Sequence, residues 1–252
     1  MMRRDWMTHY SGWLERDMHV LVHGHGGVPF ITLPCQDGMC DNWESFQMQD
    51  TLADFIESGR IQLFSLDSVD RESWSDVNGD KGWRAWMQER FFHYIAEEAV
   101  PFVRYVNGSG ALPFVTGFSM GATHSAIAFY RRPDLFSGML ACSGCYDATK
   151  FWDGWCDENL YNNSPVHFLA NLPNDHFYID MYNHRRSVIC CGQGAWEDES
   201  IRTGNILRDI FNQKGIHTWV DFWGYDVNHD WPWWRKQIRY FMPWLLDGTI
   251  WT

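Results

Sequence analysis

The stretch Pro113-Phe114-Val115-Thr116-Gly117-Phe118-Ser119-Met120-Gly121-Ala122-Thr123-His124-Ser125-Ala126-Ile127-Ala128-Phe129-Tyr130 decides the fold. Its apolar start predicts a short buried strand, and the residues from Ala122 onward have helical character. Between them Gly117-Phe118-Ser119-Met120-Gly121 is a G-x-S-x-G sequence. Small residues two before and two after the serine let the backbone turn sharply. The hydroxyl is then pushed out at the top of a sheet, on the positive end of the following helix. An ordinary turn serine between glycines is the plainer reading, and the flanks and partners below weigh against it. Ser119 is a candidate nucleophile.

Outward from this turn, strands and helices alternate, which predicts an α/β class with a mostly parallel central sheet and helices on both faces. The strands are expected at His19–Val22, Val28–Leu33, Ile61–Leu66, Phe114–Gly117, Gly138–Cys142, Ser187–Cys191 and Thr218–Phe222. Several are unbroken apolar runs, as buried parallel strands are. Helices are expected at Thr51–Ser58, Ala85–Val106, Gly121–Arg131, Ile201–Lys214 and Trp231–Leu246. With 252 residues and no linker or low-complexity stretch, residues 1–252 read as one domain. Residues 146–184, aromatic and polar with little periodicity, are expected to form excursions over the active site.

A serine hydroxyl is a weak nucleophile unless a base takes its proton and an acid orients the base. Where G-x-S-x-G sits at a strand-to-helix turn, the chain order is serine, acid, histidine. His229 fits: it follows the last strand and the loop Gly224-Tyr225-Asp226-Val227-Asn228, and it precedes a helix. His124, one turn into the helix after Ser119, is assigned to packing. For the acid, strand Ser187–Cys191 runs into Gly192-Gln193-Gly194-Ala195-Trp196-Glu197-Asp198-Glu199. Asp198 is chosen, with Glu197 as the alternative, and the remaining carboxylates complement the dipole of the next helix.

An oxyanion hole would combine the Met120 amide with one from a loop after an early strand. His23-Gly24-His25-Gly26-Gly27 mimics such a loop, but it precedes strand Val28–Leu33 and suits a hairpin turn. Cys35-Gln36-Asp37-Gly38, at the far end of that strand, is preferred, with Gln36 or Asp37 as donor. His23 and His25 lack a third ligand nearby in sequence, and Cys142-Ser143-Gly144-Cys145 has no second pair at zinc spacing. No metal site is assigned. Trp223, Trp231, Trp233 and Trp234 crowd around His229 and are expected to be mostly core, with one or two lining a substrate pocket.

A formal charge of −12 disfavours nucleic acid and anionic membranes as partners, and a small neutral or cationic substrate fits better. Met1-Met2-Arg3-Arg4 starts like a signal peptide, but Asp5, His9, Glu15 and Arg16 interrupt the apolar segment it would need. The expectation is a cytoplasmic protein without a membrane span, monomeric or homo-oligomeric. The odd count of 7 cysteines, two of them adjacent at Cys190-Cys191, predicts free thiols.

The chain also resembles a known family. The run from Gly117-Phe118-Ser119-Met120-Gly121 through Ala141-Cys142-Ser143-Gly144-Cys145-Tyr146-Asp147, with Asn228-His229-Asp230-Trp231-Pro232-Trp233-Trp234-Arg235, is similar to bacterial esterases of the α/β-hydrolase superfamily. Their relatives include esterase D (S-formylglutathione hydrolase), feruloyl esterases and the antigen 85 acyltransferases. The likeness extends to Gly24-His25-Gly26-Gly27-Val28-Pro29 and to Leu66-Asp67-Ser68-Val69-Asp70-Arg71-Glu72-Ser73-Trp74, so it covers nearly the whole chain. It implies an α/β-hydrolase fold and hydrolysis of a small carboxylic ester through an acyl-enzyme, with no cofactor. In such esterases the acid often stands in a Gly-x-x-Asp after its strand; here the position is displaced, and counting back from Lys214-Gly215-Ile216 favours Asp198. Acyl transfer to an alcohol and non-catalytic binding on a hydrolase scaffold are the competing readings.

Overall fold

The computed structural model describes residues 2–248. Eight strands form one sheet: β1 (Arg4–Ser11), β2 (Arg16–His23), β3 (Val28–Leu33), β4 (Ile61–Leu66), β5 (Phe114–Phe118), β6 (Gly138–Cys142), β7 (Arg186–Cys191) and β8 (Trp219–Phe222). Their spatial order is β1-β2-β4-β3-β5-β6-β7-β8. From β4 to β8 all neighbours are parallel, while β1 pairs antiparallel with β2 and β2 antiparallel with β4. The helices are α1 (Asn42–Ser45), α2 (Met48–Thr51), α3 (Ala53–Glu57), α4 (Lys81–His93), α5 (Val100–Asn107), α6 (Met120–Arg131), α7 (Glu158–Asn162), α8 (Pro165–Ala170), α9 (Phe177–Asn183), α10 (Asp198–Lys214) and α11 (Trp231–Asp247). This is the α/β-hydrolase fold.

Alternation along the strands divides the core. Ile31, Leu33, Val115, Met139, Ala141 and Ile189 face one layer, packed with residues of α4, α6 and α10. Phe30, Phe114, Phe118, Leu140, Val188 and Cys190 face the other, against Trp231, Trp234, Ile238, Phe241 and Leu245 of α11. Both faces are apolar because both are covered, which is why the strands read as unbroken runs.

Three local expectations change. The edge strand β1 alternates in exposure, and its polar residues fall on both faces, so it escapes a search for apolar runs. The helix expected over Ala85–Val106 is two helices with a π-helical turn, Tyr94–Ala99, between them. Pro101 lies just past that turn and has no N–H to give an uninterrupted helix. The segment Gly24–Gly27 is not a hairpin turn, because β4 lies between β2 and β3 and the chain must cross it.

Candidate active site

Ser119 stands between β5 and α6 with φ 55° and ψ −123°, a left-handed backbone that a serine enters only when its surroundings enforce it. The enforcement is steric closeness. A Cβ on Gly117 would lie 2.3 Å from the carbonyl carbon of Gly121, and one on Gly121 would lie 2.3 Å from the carbonyl oxygen of Leu33. Strand β5, helix α6 and the end of β3 therefore meet backbone to backbone. The Ser119 amide donates to the Cys142 carbonyl of β6 at 3.0 Å.

The loop after β8 delivers His229. It is laced to the loop after β7: the Gly194 amide donates to the Val227 carbonyl (2.8 Å), the Ala195 amide to Asn228 Oδ1 (2.8 Å), and the His229 amide to the Ala195 carbonyl (3.0 Å). The imidazole is 22% exposed, and its Nε2 accepts from Ser119 Oγ at 2.9 Å. Trp234 stands edge-on to the ring with centroids 5.0 Å apart.

The carboxylate behind His229 belongs to Glu197, whose Oε2 lies 3.4 Å from Nδ1. Asp198, the residue chosen from sequence, is exposed in the first turn of α10, which begins there rather than at Ile201. Glu197 is the N-cap of that helix and fully buried. Its Oε1 accepts from Ser143 Oγ at 2.6 Å and from the Gly192 amide at 3.2 Å, bonds that offset the cost of burying a carboxylate. Ser143 was not singled out from sequence. It too has positive φ, 61°, directly after β6, and it accepts from Trp234 Nε1 at 3.0 Å. The run Cys142-Ser143-Gly144 was the available signal, a small polar turn at the end of a buried strand.

In the loop after β3, the Cys35 amide donates to Asn42 Oδ1 (3.0 Å), the Asp37 amide to Asp70 Oδ2 (3.2 Å) and the Gly38 amide to the Cys35 carbonyl (2.9 Å). Asp37 is therefore engaged elsewhere. Among the described residues the Gln36 and Met120 amides have no acceptor, and both residues line a cleft of about 150 Å³ with Ser119 and His229. The aromatic side chains at this cleft are Phe151 and Trp196, the latter 87% exposed, rather than any of the four tryptophans near His229. Trp231 and Trp234 are buried in the core. Cys145 also lines the cleft, but burial pushes its thiol up to about 11, which keeps it from competing as a thiolate at neutral pH.

His23 Nε2 pairs with Glu44 at 3.1 Å, and burial lowers its basicity despite that partner; His25 lines a separate surface groove. Among the described residues no three His, Cys, Asp or Glu side chains are grouped to hold a metal ion, and all seven cysteines are free thiols. No helix among them is long and apolar enough to cross a membrane. A groove of about 560 Å³ between α3 and α11 has Arg60 and Arg239 each paired to an aspartate and includes no residue around Ser119.

Comparison with known proteins agrees with this fold. The structure is similar to a ferulic acid esterase (TM-score 0.76, 15% identity, covering 99% of this chain and 100% of that one). It is also similar to an S-formylglutathione hydrolase from Agrobacterium tumefaciens (0.74, 12%, 98% and 95%). A third likeness is to MPT51 of Mycobacterium tuberculosis (0.70, 15%, 98% and 99%). At these identities the likeness carries the fold. No curated protein sequence matches the chain. The family model described as "Putative esterase" matches residues 11–245. With that match spanning nearly the whole chain, and a serine on a strained strand-to-helix turn at its centre, the chain belongs to this esterase family and is a carboxylic ester hydrolase.

Proposed function

We propose that the chain hydrolyses small carboxylic esters through an acyl-enzyme on Ser119, with His229 as base and Glu197 as the acid. Ser119 Oγ attacks the ester carbonyl carbon while its proton passes to His229 Nε2. The imidazolium then gives that proton to the departing alcohol oxygen, leaving the acyl group on Ser119. Water, deprotonated by His229, attacks the acyl carbon, and the returning proton restores the serine. Glu197 holds the Nδ1–H tautomer and offsets the positive charge that forms on the ring. The amides of Met120 and Gln36 stabilise the tetrahedral oxyanion. The observation that carries this reading is the 2.9 Å contact between His229 Nε2 and a serine held at positive φ.

A cleft of about 150 Å³ favours short acyl groups. The test is reaction with a fluorophosphonate followed by peptide mass spectrometry, which should place the label on Ser119. Ser119→Ala should block labelling and lower kcat on p-nitrophenyl butyrate by about 10⁴-fold or more without loss of the fold. Equal rates for mutant and parent would remove Ser119 as nucleophile.

A further inference from the structure

Asp70 and His124 form a second His–carboxylate pair, fully buried, that no step above uses. Asp70 Oδ1 accepts from His124 Nε2 at 2.8 Å, and its Oδ2 accepts the Asp37 amide at 3.2 Å. We propose that this is a positioning pair that holds the Cys35–Gly38 loop so that the Gln36 amide faces the oxyanion; it rests on the reading of Gln36 as second donor.

The direction of each bond follows from donor chemistry. An indole nitrogen can only donate, so Trp74 Nε1, 2.7 Å from Gln88 Oε1, fixes the Gln88 amide with its nitrogen toward His124. Gln88 Nε2 then meets His124 Nδ1 in a long contact of 3.5 Å, which makes Nδ1 the acceptor and leaves the ring proton on Nε2, aimed at Asp70. The rings of Phe91 and Trp74, with centroids 5.1 and 5.8 Å from that of His124, crowd the pair. His124 lies on α6, the helix that begins just after Ser119, so the chain of bonds runs from the nucleophile's helix to the oxyanion loop.

The loop is held at a second point by the same turn. Ser75 Oγ accepts from Gln36 Nε2 at 2.7 Å, and the Ser75 amide donates to the Asp70 carbonyl at 2.8 Å. Asp37 itself has φ 61°, a conformation its amide bond to Asp70 secures. Of the four successive amides from Cys35 to Gly38, three are engaged, and the one without an acceptor among the described residues is that of Gln36.

Asp70→Asn offers one carbonyl oxygen to two donors. His124→Leu removes one donor, while His124→Gln places an N–H near the position of Nε2. Hydrolysis of p-nitrophenyl butyrate, inhibition by benzeneboronic acid, which forms a tetrahedral adduct on a serine, and circular dichroism would be measured for each. The expected result is a loss of about 10- to 100-fold in kcat for Asp70→Asn and His124→Leu, with KM within about threefold. The boronate inhibition constant should rise by a similar factor, and His124→Gln should recover most of what His124→Leu loses. Folded Asp70→Asn and His124→Leu proteins with parental kcat and boronate affinity would overturn the proposal. So would loss of the native fold in both, which assigns the pair to stability alone. A parent protein that neither hydrolyses the ester nor takes a fluorophosphonate removes the underlying reading instead, and the pair's role with it.

Discussion

His229 with Glu197 and His124 with Asp70 are the same two side-chain types in opposite settings. The first pair is separated by 3.4 Å, with the imidazole 22% exposed and its second nitrogen on Ser119 Oγ. The second is separated by 2.8 Å, with neither side chain exposed and the other imidazole nitrogen facing Gln88. The tighter and drier pair is thus the one that does not reach the serine. A histidine that moves protons needs one nitrogen oriented by a carboxylate and the other open to a reacting group. Closeness of the histidine–carboxylate contact is a sign of fixed structure instead.

The comparison breaks most sharply at Glu197. Glu197→Gln should cost about 10²- to 10⁴-fold in kcat on a p-nitrophenyl ester, since the imidazole loses the partner that sets its tautomer. Asp198→Asn should leave kcat within about twofold and change stability by no more than about 1 kcal/mol, the value of one charge at a helix start. If Asp198→Asn proves the crippled protein, the looser pair is not the working one.

Ser143→Ala sharpens the contrast by loosening Glu197 without removing it. The side chain loses its 2.6 Å bond, and Trp234 Nε1 loses its acceptor. We expect about a 3- to 10-fold fall in kcat together with about 1–2 kcal/mol of stability, read by steady-state kinetics and thermal denaturation. Unchanged kcat would mean that the Gly192 amide and the His229 contact suffice to fix the carboxylate.

A third histidine supplies the limiting case. His9 stacks between Tyr94 and Phe102, and neither ring nitrogen has a hydrogen-bond partner. Burial lowers its pKa, and the Glu98 charge offsets only part of that. A lowered histidine pKa means that the unfolded chain takes up the proton first. The stability His9 contributes is complete above about pH 6.5 and declines as the pH falls below it. His9→Phe should flatten the fall of Tm below that pH and leave the slope above pH 8 unchanged. A mutant with the parental slope would show that other groups set the acid limb.

The turn at Ser119 and the place of His229 beside it were legible because each depends on local chain order: a motif between strand and helix, and a loop after the last strand. The carboxylate placed behind His229 is one residue away from the one chosen because the start of α10 was read at Ile201 and three carboxylates stand together. Burial separates Glu197 at the N-cap from Asp198 in the first turn, and burial depends on Ser143, 54 residues away in sequence. Which of the Gln36 and Asp37 amides is left without an acceptor depends on Asp70, 33 residues from Asp37, whose bond to the Asp37 amide leaves no local trace. The sheet followed from its apolar runs except for β1, where one exposed face removes that signal.

At Gly117 and Gly121, three stretches of main chain touch with no side chain between them. Main chain is common to every sequence, so the spacing of the serine and the loop root at Leu33 is insulated from most amino-acid replacement. Divergence is then channelled to the residues that shape the cleft, such as Phe151 and Trp196, which lie outside that contact. A lineage built this way can exchange one ester for another while inheriting its bond-breaking apparatus intact.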